Sequence, residues 1–220
     1  MKGKGGTKEP TGESVVSSNR IGQQLGTRGM KTRGRLLMAA ESLLRTMSPM
    51  DLNATAIARE AGSSAATFYV YFDDVRELLL DLSKAAAPSF TQLFPRPDSL
   101  LVRSRLEEDI AFIIATLNAA WDRNAAILRY RNLEADRGDA DFHQLRYDLA
   151  RPVLARLGEA MRAMGPEGRC DADVEADAVV LLAAVERLVA TTHEDTQAGP
   201  DSEALRSSLI RLVMRSITSG

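Results

Sequence analysis

The stretch that most restricts how this chain can fold is "NATAIAREAGSSAATFYVYF", residues 53–72. Its second half crowds four of the chain's eleven aromatic side chains, Phe68, Tyr69, Tyr71 and Phe72, into five positions. That composition by itself favours a β-strand. A strand needs a partner, however, and nowhere else does the chain offer a convincing alternating run or hairpin turn. The flanks are helical. Upstream, Asn53 caps a short helix in which Ala54, Ile57, Ala58 and Ala61 share a face, and Gly62 supplies the left-handed residue that ends it. Downstream, Asp73 or Asp74 caps a helix whose Val75, Leu78, Leu79 and Leu82 point inward. The aromatic segment is therefore read as a helix as well.

At about 100° per residue, a helix separates the aromatics. Phe68 and Phe72 fall on the side of Ala65, while Ala66, Thr67, Val70 and Tyr71 fall opposite, with Tyr69 at the border. One face is core. The other presents small residues, a hydroxyl and a tyrosine where a solvated helix would carry Lys and Glu, which suits close approach to a macromolecular surface. Two short helices joined by a Gly-containing turn make a helix-turn-helix, whose second helix enters the roughly 12 Å major groove of DNA.

Overall charge conceals this. The chain has a net charge of −2, with 45% apolar and 26% charged residues, which are ordinary globular values. Yet residues 1–35 hold eight Lys/Arg against two Glu, a balance of +6, and residues 36–82 hold three against seven, a balance of −4. Basic charge is concentrated in the N-terminal arm. The first twenty residues lack the apolar stretch of a secretory signal. The longest apolar run, "AVVLLAAV" at 178–185, is far below the roughly 20 residues that span a bilayer. Cys170 is alone, so no intramolecular disulfide forms. The expectation is a soluble, cytoplasmic protein with no membrane contact.

The rest of the chain reads as helix too. A first helix from Lys31 carries Leu36, Leu37, Ala40, Leu43, Leu44 and Met47 and ends before Ser48-Pro49. From about residue 98 come four or five longer helices. The first has Leu106, Ile110, Ile113, Ile114, Leu117 and Trp121 in one stripe, and a separate short helix is expected around "AAILRYRNLEA". The next segment holds Phe142, Leu145, Leu149, Val153, Leu157, Met161 and Met164, with Pro152 expected to kink or restart it. The last two carry Leu181, Leu182, Val185, Leu188 and Val189, then Leu205, Leu209, Leu212, Val213 and Ile217. The fold class is all-α, with about nine helices: a flexible basic arm at 1–27, a three-helix helix-turn-helix domain at 28–82, and a helical domain at 83–220.

The segment "RGRLLMAAESLLRTMSPMDLNATAIAREAGSSAATFYVYFDDVRELL" resembles the N-terminal domain of TetR-family transcriptional repressors, whose signature is matched by "IAREAGSSAATFYVYF". The terminal runs "AVVLLAAVERLVA" and "LRSSLIRLVMRSITSG" sit where the last two helices of that family lie, and resemble its EthR-like branch, which has lipophilic effectors. The resemblance implies that Thr67 and Tyr69 donate hydrogen bonds to phosphates, that Ala66, Val70 and Tyr71 face bases, and that Ser63 and Ser64 lie at the anion-favouring start of the recognition helix. Asn53, Thr55, Ala65, Arg28, Lys31 and Arg33 complete the expected DNA-binding set. Two positions depart from the family pattern: Ala65 and Val75 stand where Lys is usual, with Arg76 adjacent. Fewer basic clamps lower affinity and flatten its salt dependence. Arg20, Arg28, Lys31, Arg33 and Arg35 offer a replacement, placed to track the backbone or enter a minor groove.

The resemblance also implies a ligand pocket, a homodimer and release from a palindromic operator. Trp121, Asn118, Tyr130, Glu134, Phe142, His143 and Tyr147, with Ile114, Leu117, Leu182 and Glu186, are the expected ligand-binding residues, mixing rings with a few polar tips. Leu181, Val185, Leu188, Leu205, Leu209, Leu212 and Val213 are the expected dimer interface, with intrachain core as the alternative for half of each face. No cofactor and no metal are implied. An enzyme lacks its parts: His143 and His193 are the only histidines and Cys170 the only cysteine, and no phosphate loop or nucleophile elbow is present. The remaining rivals are a helical scaffold without specific DNA binding and a TetR-type activator. A redox role for Cys170, beside Arg169 in a Gly-Pro loop, is a further alternative.

Overall fold

The computed structural model describes residues 26–88, 101–192 and 202–219. Among them the regular structure is helical throughout: α1 (Thr27–Leu43), α2 (Ala54–Glu60), α3 (Ala65–Tyr71), α4 (Val75–Ala85), α5 (Leu106–Asp136), α6 (Ala140–Met164), α7 (Asp171–Thr192) and α8 (Ser202–Thr218), with 3-10 turns at Pro49–Asp51 and Arg103–Arg105. The all-α expectation holds. The chain divides into two compact units, Met1–Leu43 with Leu52–Val75, and Leu44–Asp51 with Arg76–Gly220.

In the first unit, local chemistry sets each boundary. The Asn53 side chain accepts from the Ala56 N–H at 2.9 Å and starts α2. Gly62, at φ 65°, then turns the chain in a conformation that side chains with a Cβ rarely adopt. Ser64 caps α3 by accepting from the Thr67 N–H at 3.2 Å. Packing locks the pair: α2 buries Ala54, Ala56, Ile57 and Ala58, and α3 buries Phe68. Phe72, next to the end of α3, is fully buried, its ring 5.5 Å from that of Phe68. Burying Ile57, Phe68 and Phe72 contributes roughly 1.5–3 kcal/mol each, so this apolar core, rather than helix propensity, holds two seven-residue helices that would be marginal alone. α1 begins at Thr27, earlier than the periodicity indicated. Its first turn carries no apolar stripe, so the pattern had nothing to register there.

The second unit has one apolar core drawn from α5 to α8, with Trp121, Leu128, Leu157, Met161, Val189 and Ile217 among its buried members. Two sequence expectations are corrected here. The separate short helix around residues 125–135 is instead the continuation of a single 31-residue α5. The preceding Asp122-Arg123-Asn124 contains neither Gly nor Pro to break the helix, and the Asn124 side-chain amide donates to the Ala120 carbonyl at 2.8 Å without displacing it. Pro152 likewise does not restart the chain: it lies inside α6, whose 25 residues form one helix. Its missing N–H removes one backbone bond, which the packed Val153 and Leu157 offset.

α4 falls almost wholly in the second unit, and one side chain explains why. Arg76 donates from Nε and Nη2 to the two oxygens of Asp139, both at 2.6 Å, and from Nη2 to Asp141 at 2.8 Å. Its guanidinium also lies over the Phe142 ring at 5.4 Å. Asp139 is at the same time the cap of α6, accepting from the Asp141 and Phe142 N–H groups. The clasp thus ties the start of α4 to the start of α6. The Arg76 hydrogen bonds hold the Asp139 carboxyl below the usual carboxylate range.

Candidate functional site

Two places in the chain put residues where their chemistry is unexpected. The first is the outer face of α3. Tyr69 is 48% and Val70 50% exposed, and Ala66 is exposed beside them. Neither ring nor isopropyl group gains from contact with water, and Phe68 and Phe72 on the inner face already satisfy the core. Thr67 and Tyr71 are half-buried at the edges. Relative to the helical projection, Tyr69 has moved from the border to the open face and Tyr71 toward the interior. Tyr69 keeps an edge-on contact with the buried Phe68 ring at 5.4 Å while most of its own ring faces outward.

The polar residues expected around this face have structural occupations too. The Ser64 hydroxyl caps α3 and lies 3.0 Å from the Thr67 hydroxyl. Ser63 donates to the Ala58 carbonyl at 3.3 Å, and Asn53 caps α2. Thr55 is exposed and Ala65 half-buried. Among the basic residues, Arg28, Lys31 and Arg35 are exposed on one side of α1, at the three- and four-residue spacing that aligns them. Arg33 is different: its guanidinium sits over the Phe72 ring at 4.8 Å, which turns it from a mobile cation into a brace on the aromatic anchor. Arg20 and the rest of residues 1–25 lie outside the described residues.

The second place is a cavity of about 50 Å³ within the second unit. Ile114 and Leu117 from α5, Val153 and Leu157 from α6, Leu182 and Val185 from α7 are among its walls, so all but two of the lining residues are apolar. The exceptions are Arg131 on α5 and Glu186 on α7. Arg131 is 1% exposed. Its Nε and Nη2 donate to the Asn132 side-chain carbonyl at 3.1 and 2.9 Å. Burial pushes the Glu186 carboxyl up, against the pull of Arg131 and Arg146. Burial likewise lowers the Arg131 guanidinium, while Glu186 supports its charge.

Of the expected ligand-binding residues, Ile114, Leu117, Leu182 and Glu186 line this cavity. Trp121, Tyr130 and Phe142 do not: they are buried core, with Tyr130 and Phe142 packed edge-to-face at 5.4 Å. Asn118 donates to the Ile114 carbonyl and faces a separate groove between α5, α7 and α8. Glu134 is paired with Arg137, and His143 and Tyr147 are exposed. The expected dimer residues divide in the same way. Leu181, Val185, Leu209 and Val213 are buried in the chain's own core, Leu188 and Leu205 are half-buried, and Leu212 is exposed. The apolar residues left outward on α7 are Val179, at 54%, and Val180, at 68%. Sequence reasoning missed Arg131. Its signal was a cation on the 110, 114, 117, 121, 128 stripe of α5, a position where the pattern requires an apolar residue.

Among the described residues no group of three or more His, Cys, Asp or Glu side chains converges. No described helix is long and apolar enough to cross a membrane. Cys170 is exposed and accepts from the Asp173 N–H at the start of α7.

No curated protein matches the sequence significantly. Solved structures do resemble the fold. A TetR-family transcriptional regulator from Streptomyces coelicolor superposes with a TM-score of 0.64 at 15% identity, covering 87% of this chain and 80% of that one. The fatty acid degradation regulator FadR from Bacillus halodurans gives a TM-score of 0.59 at 14% identity, over 87% and 97% of the two chains. SmeT, the repressor of the Stenotrophomonas maltophilia multidrug efflux pump SmeDEF, gives 0.54 at 16% identity, over 84% and 88%. At these identities the likeness speaks to fold alone. The sequence itself matches the model of the tetracycline repressor-like C-terminal domain over residues 109–220, just over half its length. With that match covering the cavity-bearing helices, and a helix-turn-helix preceding them, the chain belongs to the TetR family of transcriptional regulators, DNA-binding proteins rather than enzymes.

Proposed function

We propose that the protein is a ligand-responsive repressor that binds a palindromic operator as a homodimer and is released by a small lipophilic effector. The observation that carries this reading is the exposed Ala66, Tyr69 and Val70 face of α3, held outward by the buried Phe68 and Phe72. In the major groove, the α3 N-terminal turn and the Tyr69 hydroxyl meet phosphates while Ala66 and Val70 contact base edges. Arg28, Lys31 and Arg35 on α1, with the basic arm of residues 1–27, supply the phosphate attraction that the acidic 36–82 region lacks. Residues 28–82 serve as the DNA-binding domain and 83–220 as the ligand and dimerisation domain. Val179, Val180 and Leu212 provide the outward apolar surface of the dimer.

The cavity supports effector control by its size. About 50 Å³ holds a few water molecules, whereas pockets that bury a drug-sized ligand run to roughly 300–1,000 Å³. An effector therefore binds only by spreading the helices around it, and it shifts the protein toward that spread conformer by no more than its differential affinity. The apolar walls fit the EthR-like branch, and the cytoplasm is the compartment in which such a regulator meets DNA. A gel shift with the protein's own promoter region, with and without candidate effectors, tests the reading. Specific retardation lost in a Tyr69→Ala and Val70→Ala double variant is expected. No binding even at low salt would leave a helical scaffold.

A further inference from the structure

We infer that Gly34 is a contact point for DNA: its missing side chain lets the sugar-phosphate backbone of a duplex settle directly on α1, between the cations that hold it. The inference rests on the DNA-binding reading above and adds the residue that sets how closely the helix approaches. Gly34 lies inside the 17-residue α1, where glycine is among the least favourable residues. Nothing in the described residues asks for it. Its backbone is ordinary helix, unlike that of Gly62, Gly138 and Gly168, which take positive φ. Packing does not forbid a side chain either: among the described residues a Cβ built at Gly34 meets no atom within 4 Å, whereas one at Gly165 would stand 2.5 Å from the Met161 carbonyl oxygen. The gap opens outward.

Its surroundings indicate what fills it. Arg28, Lys31, Thr32, Arg35 and Met38 frame Gly34 in one open hollow on the outer side of α1. Lys31 stands one turn before the gap and Met38 one turn after it, with Arg35 alongside. Thr32 is occupied at the edge, its hydroxyl donating to the Arg28 carbonyl at 3.2 Å. Three exposed cations gathered on one side of a helix favour a polyanion. Met38 is 61% exposed, an apolar side chain where a solvated helix would carry charge. Cations beside a side-chain gap and a methionine match a chain that alternates anionic phosphates with apolar deoxyribose faces. Charge-assisted hydrogen bonds need donor and phosphate oxygen within about 2.9 Å. A side chain at position 34 would hold the duplex off by the thickness of its own atoms, and it would weaken all three cationic contacts together.

The test is a gel shift of the full chain with a duplex of the protein's own promoter region across a salt series, for the wild type, Gly34→Ala and Gly34→Leu. Each protein is also melted thermally and sedimented with phosphatidylglycerol vesicles. Both substitutions are expected to raise the melting temperature, since each supplies a better helix former, and both to weaken DNA binding. The loss should grow with size, about threefold for Ala and about tenfold for Leu, the range of one or two weakened polar contacts. Gly34→Leu should also lower the salt slope by about 1 or more. Stability and binding then move in opposite directions, which a purely structural role does not produce. Unchanged DNA affinity in both variants overturns the inference and leaves the DNA-binding reading standing, as does weaker binding at an unaltered salt slope. Weaker sedimentation with vesicles at unchanged DNA affinity overturns it in favour of a lipid surface. No retardation of the wild type even at low salt overturns the DNA-binding reading and this inference with it. Should Gly34→Leu not melt cooperatively, Gly34→Ala decides.

Discussion

The outer face of α3 and the cavity of the second unit invert each other. α3 exposes apolar and aromatic side chains, Val70 and Tyr69, that an ordinary solvated helix would replace with charge. The cavity sets charge, the buried Arg131 and the half-buried Glu186, where an ordinary core would carry leucine. Each departs from the inside-out rule, and each does so in a setting that is otherwise well satisfied: Phe68 and Phe72 anchor α3, and an apolar cluster surrounds the cavity. Under the function proposed above, the first surface meets DNA and the second a small molecule. The energetic difference is that an exposed apolar face costs little in the free protein, whereas a buried charge destabilises it continuously.

That difference is open to direct attack. The largest effect is expected from Phe68→Ala, which empties the anchor under α3 and should destabilise the first unit by about 3–5 kcal/mol. Tyr69→Ala on the other side of the same helix should change stability by less than about 0.5 kcal/mol while abolishing operator binding. Urea melts and gel shifts on the two variants separate the faces. An equal loss of stability would mean that α3 has no free face.

Next come Arg131 and Glu186. Glu186→Leu removes the carboxyl that supports the buried Arg131 charge and should destabilise the protein by about 1–3 kcal/mol. Arg131→Met should cost much less, because the Glu186 carboxyl is already pushed toward its neutral form and can protonate. The double variant should recover most of the loss. Equal single-variant costs in urea melts would show that the two residues depend on each other symmetrically.

The α4 clasp gives a smaller, pH-dependent effect. Asp139 has its carboxyl depressed in the folded chain by Arg76. Its contribution is therefore complete above the ordinary carboxylate range and is lost as pH falls through the lower, folded value. Arg76→Gln should reduce stability by about 1 kcal/mol at pH 7, and it should flatten the acid limb of a stability-against-pH curve measured between pH 5 and 2. An unchanged acid limb would show that the clasp is not what sets it.

The smallest effect on the free protein, and a graded one on DNA, belongs to α1. Arg28→Ala, Lys31→Ala and Arg35→Ala should leave the melt unchanged while each lowers the salt slope of operator binding by about 1. Deleting residues 1–27 should lower it further. Arg33→Ala is expected to act instead on stability, through loss of the contact with Phe72.

Much of this was readable before any coordinates. The caps Asn53 and Ser64, the turn at Gly62 and the split of Phe68 and Phe72 from the rest of α3 are consequences of residues within four positions of one another, and local chemistry suffices for them. The cavity was readable only in part. Of the residues expected to hold a ligand, Ile114, Leu117, Leu182 and Glu186 line it while Trp121, Tyr130 and Phe142 are core, because residue type says nothing about which side of a buried helix a void lies on.

The sequence alone determined the helical class, the helix-turn-helix and the inner, anchoring face of α3, because these follow from spacing along one short segment. Only the tertiary structure decided three other matters: that α5 runs unbroken, that Arg76 reaches Asp139 across 63 positions, and that Arg131 and Glu186 from different helices share one chamber. Those depend on which faces of distant helices meet. The buried apolar surface that drives that meeting is non-directional, so the pattern of one helix does not name its neighbour.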